Sequence, residues 1–494
     1  MSFPYLSIII FLPLMGAIAI ALLPRAEPRR VKLIAAFFTL LAFLLSVALF
    51  FIFDRSLDGP QFVEQASWIP SINVQYFLGV DGLSLPMLIL TTMLGFLAVL
   101  VSWRIDLRAR EYFAWLLVLE TGILGVFCSL DLILFFLFWE VEIIPMYLLI
   151  SIWGTGRKEY SAMKFVIYTL LGSALMLAGI LILYSHAGTF DMVALAQMGL
   201  EPALGSLLAT AIFFLLFFGY AVKLPVFPLH TWLPDAHTDA PTAVSVILAG
   251  ILIKMGGYAM IRVCVSIFPE TSQTYAPLLV ALAVVSVLYG AAVTLRQRDL
   301  KRLIAYSSIS HMGYVLLGIF ALSQVSMTGA TLQMFSHGII TGLLFALVGL
   351  VYDKTHVRII PELGGLARRM PIILVVFSVA GLAALGLPGT SGFAAEFLVF
   401  LGSFRSTVVS GIQIYTILGV LGIVITAGYI LWMLQRVFYG PPKAQYEGVL
   451  DADRLERFTI FSLAAVIMLI GIYPRILTDV IDMGILPIFG GLGL

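Results

Sequence analysis

The stretch that decides the fold is residues 205–265, GSLLATAIFFLLFFGYAVKLPVFPLHTWLPDAHTDAPTAVSVILAGILIKMGGYAMIRVCV. It places two lysines in apolar surroundings, Lys223 at the end of one apolar run and Lys254 inside the next. Proline lacks an amide hydrogen and its ring clashes with the preceding turn, so Pro225 and Pro228 should break the helix just after Lys223. Helices broken at membrane depth are tolerated only where they are buried in protein or line a wet cavity. The stretch therefore predicts a membrane protein with a polar site around the break.

The two lysines have a functional and a structural interpretation. A charge placed like Lys254, far from either end of its apolar run, costs about 2.5 to 3.5 kcal/mol on insertion scales and usually belongs to an ion or proton pathway. The plainer alternative is that each lysine is structural and is paired with a buried carboxylate. Two lysines on either side of a break that also contains His230 favour a pathway.

The composition limits the class of protein. Hydrophobic residues make up 61% of the chain, charged residues 11%, and the mean hydropathy is +1.08, which predicts a protein that crosses the membrane many times. The net charge of +1 argues against a nucleic-acid partner. Cys128 and Cys264 stand alone in apolar runs, and no haem, iron–sulfur, zinc, flavin or nucleotide motif is visible. We therefore expect no cofactor on this chain. The first apolar stretch lacks a basic start and a cleavage site, which predicts a retained first helix.

Apolar runs of about 17 to 25 residues predict fourteen membrane spans in an all-α fold. They lie at 3–23, 31–53, 82–103, 113–128, 131–152, 163–185, 206–230, 241–262, 277–295, 303–321, 327–351, 371–402, 412–435 and 458–477. Loop charges support this count, because with both termini outside, 22 of the 28 Lys and Arg residues, Arg25 among them, fall on the cytoplasmic side and only four fall outside. This orientation predicts a multi-pass protein of a bacterial inner membrane.

The interruptions predict an internal repeat. The seventh span is broken at KLPVFPLH and the twelfth at GLAALGLPGTSGFAAEF, five spans later. Repeats would then cover spans 4–8 and 9–13, and units with an odd number of helices must be inverted relative to each other. We expect one membrane domain, 1–494, and the loop at 54–80 could form a short hairpin. Its predicted parts are N-terminal helices at 1–110, a first repeat at 111–265, a second repeat at 275–440 and a C-terminal helix at 441–494.

Buried carboxylates supply candidate partners for the lysines. Glu140 and Glu142 are two residues apart on the fifth span and face different directions, so at most one of them should address a given partner. Glu140 is predicted to pair with Lys223, although a neutral, hydrogen-bonded carboxyl group would also be compatible with this position. Glu120 on the fourth span is a weaker candidate.

The second half supplies relay groups. His311 and His337 lie in apolar runs, and histidine titrates near neutral pH, although either one alone would more often be a satisfied core residue. Glu396 follows a glycine-rich break that frees backbone groups for hydration. A lysine desolvated in the membrane holds its proton only while a carboxylate stays close. We therefore hypothesise one water-linked chain of proton carriers, made of Glu140, Lys223, His230, Lys254, His311, His337 and Glu396.

Four long motifs resemble the antiporter-like subunits of respiratory complex I, the NADH-quinone oxidoreductase. They are FWEVEIIPMYLLISIWG (138–154), VKLPVFPLHTWLPDAHTDAPTAVSVILAGILIKMGGYAMIR (222–262), LKRLIAYSSISHMGY (300–314) and GLPGTSGFAAEF (386–397). The L type, the N type and the cation/proton antiporter homologues usually carry lysine at the twelfth-helix position. Glu396 therefore resembles the remaining antiporter-like subunit of complex I, the M type, as does the end of the chain soon after the fourteenth span, without the long lateral helix of the L type.

The resemblance implies two inverted five-helix repeats and proton translocation driven by quinone reduction elsewhere in a complex. It implies that Glu140 and Lys223 form the controlling pair, that Lys254 is the central relay and that Glu396 is the terminal exchange group. Flavin, iron–sulfur clusters and quinone would belong to partner subunits, and L-type and N-type subunits would be neighbours in the lipid membrane.

Three alternatives remain open at this point. They are a subunit of a multisubunit cation/proton antiporter, a subunit of a photosynthetic ferredoxin:plastoquinone oxidoreductase, and a structural spacer with an inactive channel. Glu396 counts against the antiporter, and intact Glu140, Lys223 and Lys254 count against the spacer. The electron donor is not encoded in this chain.

Overall fold

The computed structural model describes residues 3–23, 27–57 and 59–493, so Arg25 and the two ends of the predicted domain lie outside the described residues. Helices dominate it. In chain order they are α1 (Tyr5–Leu22), α2 (Pro28–Ile52), α3 (Ser84–Val101), α4 (Ala109–Cys128), α5 (Leu132–Val141), α6 (Ile143–Trp153), α7 (Lys158–Ala187), α8 (Met192–Met198), α9 (Glu201–Leu204), α10 (Ser206–Lys223), α11 (Trp232–Asp239), α12 (Thr242–Ile247), α13 (Lys254–Ala259), α14 (Pro269–Thr294), α15 (Leu300–Phe320), α16 (Gln324–Thr355), α17 (Pro371–Ala384), α18 (Ser391–Arg405), α19 (Ile412–Phe438), α20 (Arg454–Ile472) and α21 (Arg475–Gly491). Short 3₁₀ turns lie at Pro70–Ile72, Ile360–Glu362, Leu366–Arg368 and Ala444–Tyr446.

The predicted all-α, many-span fold is confirmed. In the described residues, 13 helical stretches are long and apolar enough to cross a membrane. The predicted twelfth span is not among them because it is divided into α17, with 14 residues, and α18, with 15 residues. The number fourteen and the repeat boundaries stay predictions.

Both predicted helix breaks are present. The seventh span stops at Lys223 and resumes in α11, with Pro225 and Pro228 between. The twelfth span stops at the end of α17 and resumes in α18, and the turn contains Gly386 and Gly389 at φ +75° and +90°. A side chain with a Cβ rarely adopts those angles, so glycine shapes the second break together with Pro388, whereas the first break contains prolines and no glycine.

Two interruptions were not predicted. The fifth span is interrupted at Glu142, between α5 and α6. The eighth span contains two π-helical turns, Leu248–Leu252 and Met260–Val265, on either side of α13. Such turns widen a helix by one residue and often occur at functional sites.

The loop before α3 forms the predicted hairpin. Strands β1 (Gln61–Ile69) and β2 (Val74–Val80) are antiparallel, from the pair Gln61 and Val80 to the pair Ile69 and Val74. Helix α21 was not predicted. It packs on α16 and α3. A Cβ on Gly82 would meet the backbone of Val480 and Gly484, so the close approach of α21 to the residues before α3 requires glycine at position 82.

Burial separates an inner group of spans from an outer group. Every residue in the apolar window of Thr242–Val265 is buried, as are 94% of those in α15 and in α16, against 28% in α2 and in α20. The inner spans carry Lys254, His311 and His337. These three residues of the sequence hypothesis therefore lie in the core of the helix bundle and not on its lipid-facing surface.

Candidate functional site

Lys223 lies at the C-terminal end of α10, where the chain leaves the helix. Its side chain is only 1% exposed, and its ammonium group forms an ion pair with the fully buried Glu142. The ammonium nitrogen also lies 5.3 Å from the ring centroid of Trp139 and 5.6 Å from that of Phe165. The last turn of a helix carries a partial negative charge, and aromatic faces attract cations, so this pocket is built for a positive charge.

The sequence predicts that Lys223 pairs with Glu140, whereas in the structure the ion pair of Lys223 is formed with Glu142. The interruption of the fifth span at Glu142 turns that residue inwards. Glu140 lies on the side of α5 that also carries Leu137 and Val141, which are 40% and 38% exposed. The two carboxylates do face different directions, as the two-residue spacing predicts, but that spacing could not tell which one faces α10.

Lys254 is held by a distorted turn of its own helix. In the π turn, the amide of Ile253 donates to the carbonyl of Leu248, five residues earlier. The carbonyl of Ala249 accepts a hydrogen bond from the Lys254 ammonium group, which also lies 2.7 Å from Nδ1 of His337. The unpredicted π turn thus supplies a backbone ligand for a fully buried lysine.

A continuous row of polar groups leads from Lys254 to the second break. The ring centroids of His337 and His311 are 5.3 Å apart, and Nδ1 of His311 lies 3.2 Å from Oε1 of Glu396. The Gln333 amide nitrogen lies 3.5 Å from the same His311 nitrogen. A cavity of about 10 Å³ between these side chains has room for about one water molecule. The structure therefore brings Lys254, His337, His311 and Glu396 together in one row.

His230 is near the first break but is not joined to this row. It is buried, neither ring nitrogen has a hydrogen-bond partner, and it lies against Phe227 and Tyr289 at 5.7 and 5.0 Å between ring centroids. His237 shares these features and was not selected from the sequence. It is fully buried, has no hydrogen-bond partner and stacks on Phe345 at 4.6 Å. Its spacing of seven from His230, two helical turns, was the available signal.

The two lysines lie on helices in close contact. A Cβ on Gly256, two residues after Lys254, would lie 2.6 Å from the carbonyl oxygen of Tyr220 and 2.7 Å from the amide nitrogen of Leu224. Glycine therefore lets the eighth span approach the backbone at the break beside Lys223. Among the described residues, no hydrogen bond or ion pair joins Lys223 directly to Lys254.

Two further buried acids, Glu120 and Asp81, differ in their contacts. Glu120 is buried against Gly95, and its Oε1 has no hydrogen-bond partner. Asp81 lies just before α3 and accepts hydrogen bonds from the amides of Leu83 and Ser84. In the part of the chain that the structure describes, no group of three or more His, Cys, Asp or Glu residues is placed to hold a metal ion.

Comparison with known proteins identifies the class. The family model described as NADH:quinone oxidoreductase/Mrp antiporter, TM matches residues 129–426. "NAD(P)H-quinone oxidoreductase chain 4 1" of Synechococcus elongatus is 46% identical over 98% of this chain and 91% of its own length. "NADH-quinone oxidoreductase subunit M" of Rhodobacter capsulatus is 43% identical over 96% of this chain and 94% of its own length. A chain of respiratory complex I from Thermus thermophilus with bound NADH superimposes with a TM-score of 0.88 at 29% identity, covering 98% of this chain and 100% of that one.

This chain belongs to the family of membrane subunits shared by NADH:quinone oxidoreductases and Mrp antiporters. Within the family, these relatives are the ones called subunit M or chain 4. That confirms the resemblance to complex I and the prediction of the M type of antiporter-like subunit, for which Glu396 was the signal.

Proposed function

We propose that this chain translocates protons in the membrane arm of a redox-driven quinone oxidoreductase, along the row Lys254, His337, His311 and Glu396. The observation that carries the proposal is the contact between each member of this row and the next, from the central lysine to the second helix break. Intramembrane ionisable residues that line up in this way are typical of proton relays.

Lys223 and its carboxylates would control the row. A buried lysine keeps its proton while a carboxylate is close and loses it when that carboxylate moves or is neutralised. Separation of Glu142 from Lys223 would therefore release a proton from Lys223. The loss of that positive charge would change the electrostatic potential at Lys254, which lies on the adjoining helix. Lys254 would then pass its proton to His337, and His311 would pass one to Glu396. Glu140 and His230 stay proposed members of the same system.

The energy for this cycle would come from other subunits. The relatives are named for quinone oxidoreductases, and we propose that flavin, iron–sulfur clusters and quinone are bound by partner chains, with no redox step on this one. L-type and N-type antiporter-like subunits are the proposed neighbours. The charge distribution between loops supports an orientation with both termini on the outer side of a bacterial inner membrane, and the positions of the two breaks support inverted repeats at spans 4–8 and 9–13.

The electron donor distinguishes the proposal from its nearest alternatives. A photosynthetic ferredoxin:plastoquinone complex would use the same kind of membrane chain. A cation/proton antiporter would use no donor at all. Purification of the intact complex followed by identification of its subunits separates them, because only the NADH-driven complex would contain a flavin subunit that oxidises NADH.

The proposal is tested by NADH-driven proton pumping of the purified complex in proteoliposomes. Lys254→Ala should abolish pumping or reduce it strongly, because no other group in the row can take the place of the central ammonium. Lys158→Ala is the matched control: Lys158 lies at the start of α7, where it donates to the carbonyl of Ile152, outside the row. Normal pumping by Lys254→Ala, in a complex that contains all its subunits, would refute the row.

A further inference from the structure

A second polar column leaves Lys254 along its own helix. Lys254, Tyr258 and Arg262 are spaced by four residues, so they lie one above another on one side of the eighth span. Nε of Arg262 donates to the Tyr258 hydroxyl over 3.4 Å, and that hydroxyl donates to the carbonyl of Phe127 over 3.3 Å. At 1.5 Å per residue, Arg262 is roughly 12 Å from Lys254 along the axis.

The far end of this column is closed by an ion pair. A terminal nitrogen of Arg262 lies 2.7 Å from each carboxylate oxygen of Asp81, and the two side chains are 11% and 10% exposed. Asp81 is itself fixed by the amides of Leu83 and Ser84 at the start of α3. The guanidinium group is thus held in one position by another helix.

An open pocket reaches this ion pair from the side predicted to be external. Its volume is about 350 Å³, and Asp81, Arg262, Ser266, Gln197 and Gly484 are among the residues that line it. Below Arg262, Tyr258 and Lys254 follow on the same side of the helix, and the Lys254 ammonium group is directed away from Tyr258, towards the carbonyl of Ala249. The ion pair and Tyr258 therefore lie between the pocket and the turn of the eighth span that carries Lys254.

Arg262 is suited to block protons and not to relay them. A guanidinium group does not give up its proton in a protein, so it cannot act as a step in a proton chain. A fixed arginine at a narrow point also repels cations, and pores use this device to exclude protons.

We propose that Arg262, held by Asp81, seals the external end of the eighth span, so that Lys254 exchanges protons through His337 and not directly with the outside. This proposal rests on the proposed function and its orientation. In this proposal, Arg262 is a barrier to protons and Asp81 is the residue that holds it in position.

The direct test is passive proton leak in proteoliposomes that hold the complete complex without NADH. An acid-inside or acid-outside pH difference is imposed, and its decay is followed with an entrapped dye. Arg262→Gln should speed the decay about tenfold or more, the change expected if the barrier falls by at least 1.4 kcal/mol. Arg262→Lys keeps the charge and should leak much less. Arg475→Gln is the matched control, because Arg475 is an exposed arginine on the same side that pairs with Asp479.

Equal leak rates for Arg262→Gln and the unmodified complex would overturn the proposal. Because no electron donor is added, this result does not depend on whether the row of the proposed function pumps protons. The two proposals can therefore fail separately. Normal pumping by Lys254→Ala would contradict the proton row, whereas an unchanged leak in Arg262→Gln would contradict the seal.

A second measurement keeps Arg262 in place and does not depend on the assembly of the Arg262→Gln variant. In a chain whose Cys128 and Cys264 are replaced by alanine, Ser266→Cys and Tyr258→Cys are exposed to a membrane-impermeant cationic thiol reagent from outside. Ser266→Cys should be modified, because Ser266 lines the pocket, and Tyr258→Cys should be protected. Rapid modification of both would show that the seal is absent.

Discussion

The two broken helices carry opposite charges on opposite sides of their breaks. At the first break, Lys223 is the last residue of the half-helix α10, and its partner is the carboxylate of Glu142. At the second break, Glu396 lies in the second turn of the half-helix α18, and its partner is the imidazole of His311. The cation thus precedes its break, whereas the anion follows its break.

The polarity of the half-helices explains this difference. A helix carries a partial negative charge at its C-terminal end and a partial positive charge at its N-terminal end, with an effect concentrated in the terminal turns. The end of α10 therefore favours an ammonium group, and the beginning of α18 favours a carboxylate. A break in a membrane helix therefore supplies two helix ends inside the bundle. The side of the break on which a residue lies determines which charge is favoured there.

The largest effect should come from removing the cation of the first break. Lys223→Ala leaves Glu142 buried without its partner, and breaking a buried ion pair costs about 3 to 5 kcal/mol. We expect a marked loss of thermal stability of the purified complex and a loss of NADH-driven proton pumping. Both are measured on the same preparation, by thermal unfolding and in proteoliposomes.

A double variant separates the two effects of that change. Lys223→Ala with Glu142→Ala removes both charges and should recover part of the lost stability, because no buried charge is left unpaired. Pumping should stay lost. If pumping returned together with stability, Lys223 would be structural, which is the plainer of the two interpretations of the sequence.

The next effect concerns which carboxylate serves the first break. Glu142→Gln should lower stability by about 1 to 3 kcal/mol, because the buried ammonium group of Lys223 loses its charged partner. Glu140→Gln should change stability by less, since Glu140 does not form the ion pair. Thermal unfolding of the two variants side by side decides between them, and a larger loss for Glu140→Gln would restore the pairing predicted from sequence.

A smaller loss of stability should follow from neutralising the second break. Glu396→Gln keeps the size of the side chain and a hydrogen bond to His311 or Gln333, so stability should fall by only about 1 kcal/mol. Pumping should nevertheless fall strongly, because an amide cannot carry a proton. A stable complex that pumps normally with Glu396→Gln would mean that the second break has no function corresponding to that of the first.

The sequence predicted the breaks better than it predicted the contacts. Pro225, Pro228 and the glycines around 386 act locally, so their effect on a helix is readable without the fold. The choice of Glu142 over Glu140 depends on how α5 is rotated towards α10, which only packing determines. The π turn beside Lys254 contains one glycine, Gly250, but a single glycine in an apolar run does not distinguish a π turn from a regular helix, and the turn was missed for that reason.

The smallest effect should come from an ion pair outside the membrane, which serves as the reference for both breaks. Arg104 follows α3 and contacts Asp453 at 3.0 Å and Glu456 at 2.7 Å, with Arg104 and Asp453 more than half exposed. Burial acts to raise the pKa of Asp453, but hydrogen bonds from the Glu456 amide and from Arg104 outweigh it and hold the pKa below its ordinary value. A lowered pKa in the folded state contributes stability above the unfolded-state value, near pH 4, and that contribution is lost as the pH falls through the folded value.

Water screens the ion pair of Arg104 with Asp453, so Arg104→Gln should cost at most about 1 kcal/mol at pH 7 and should leave pumping unchanged. The difference in thermal stability between the variant and the unmodified complex should shrink as the pH is lowered below about 4. A loss as large as that of Lys223→Ala would mean that burial in the membrane is not what makes the ion pair at the first break strong.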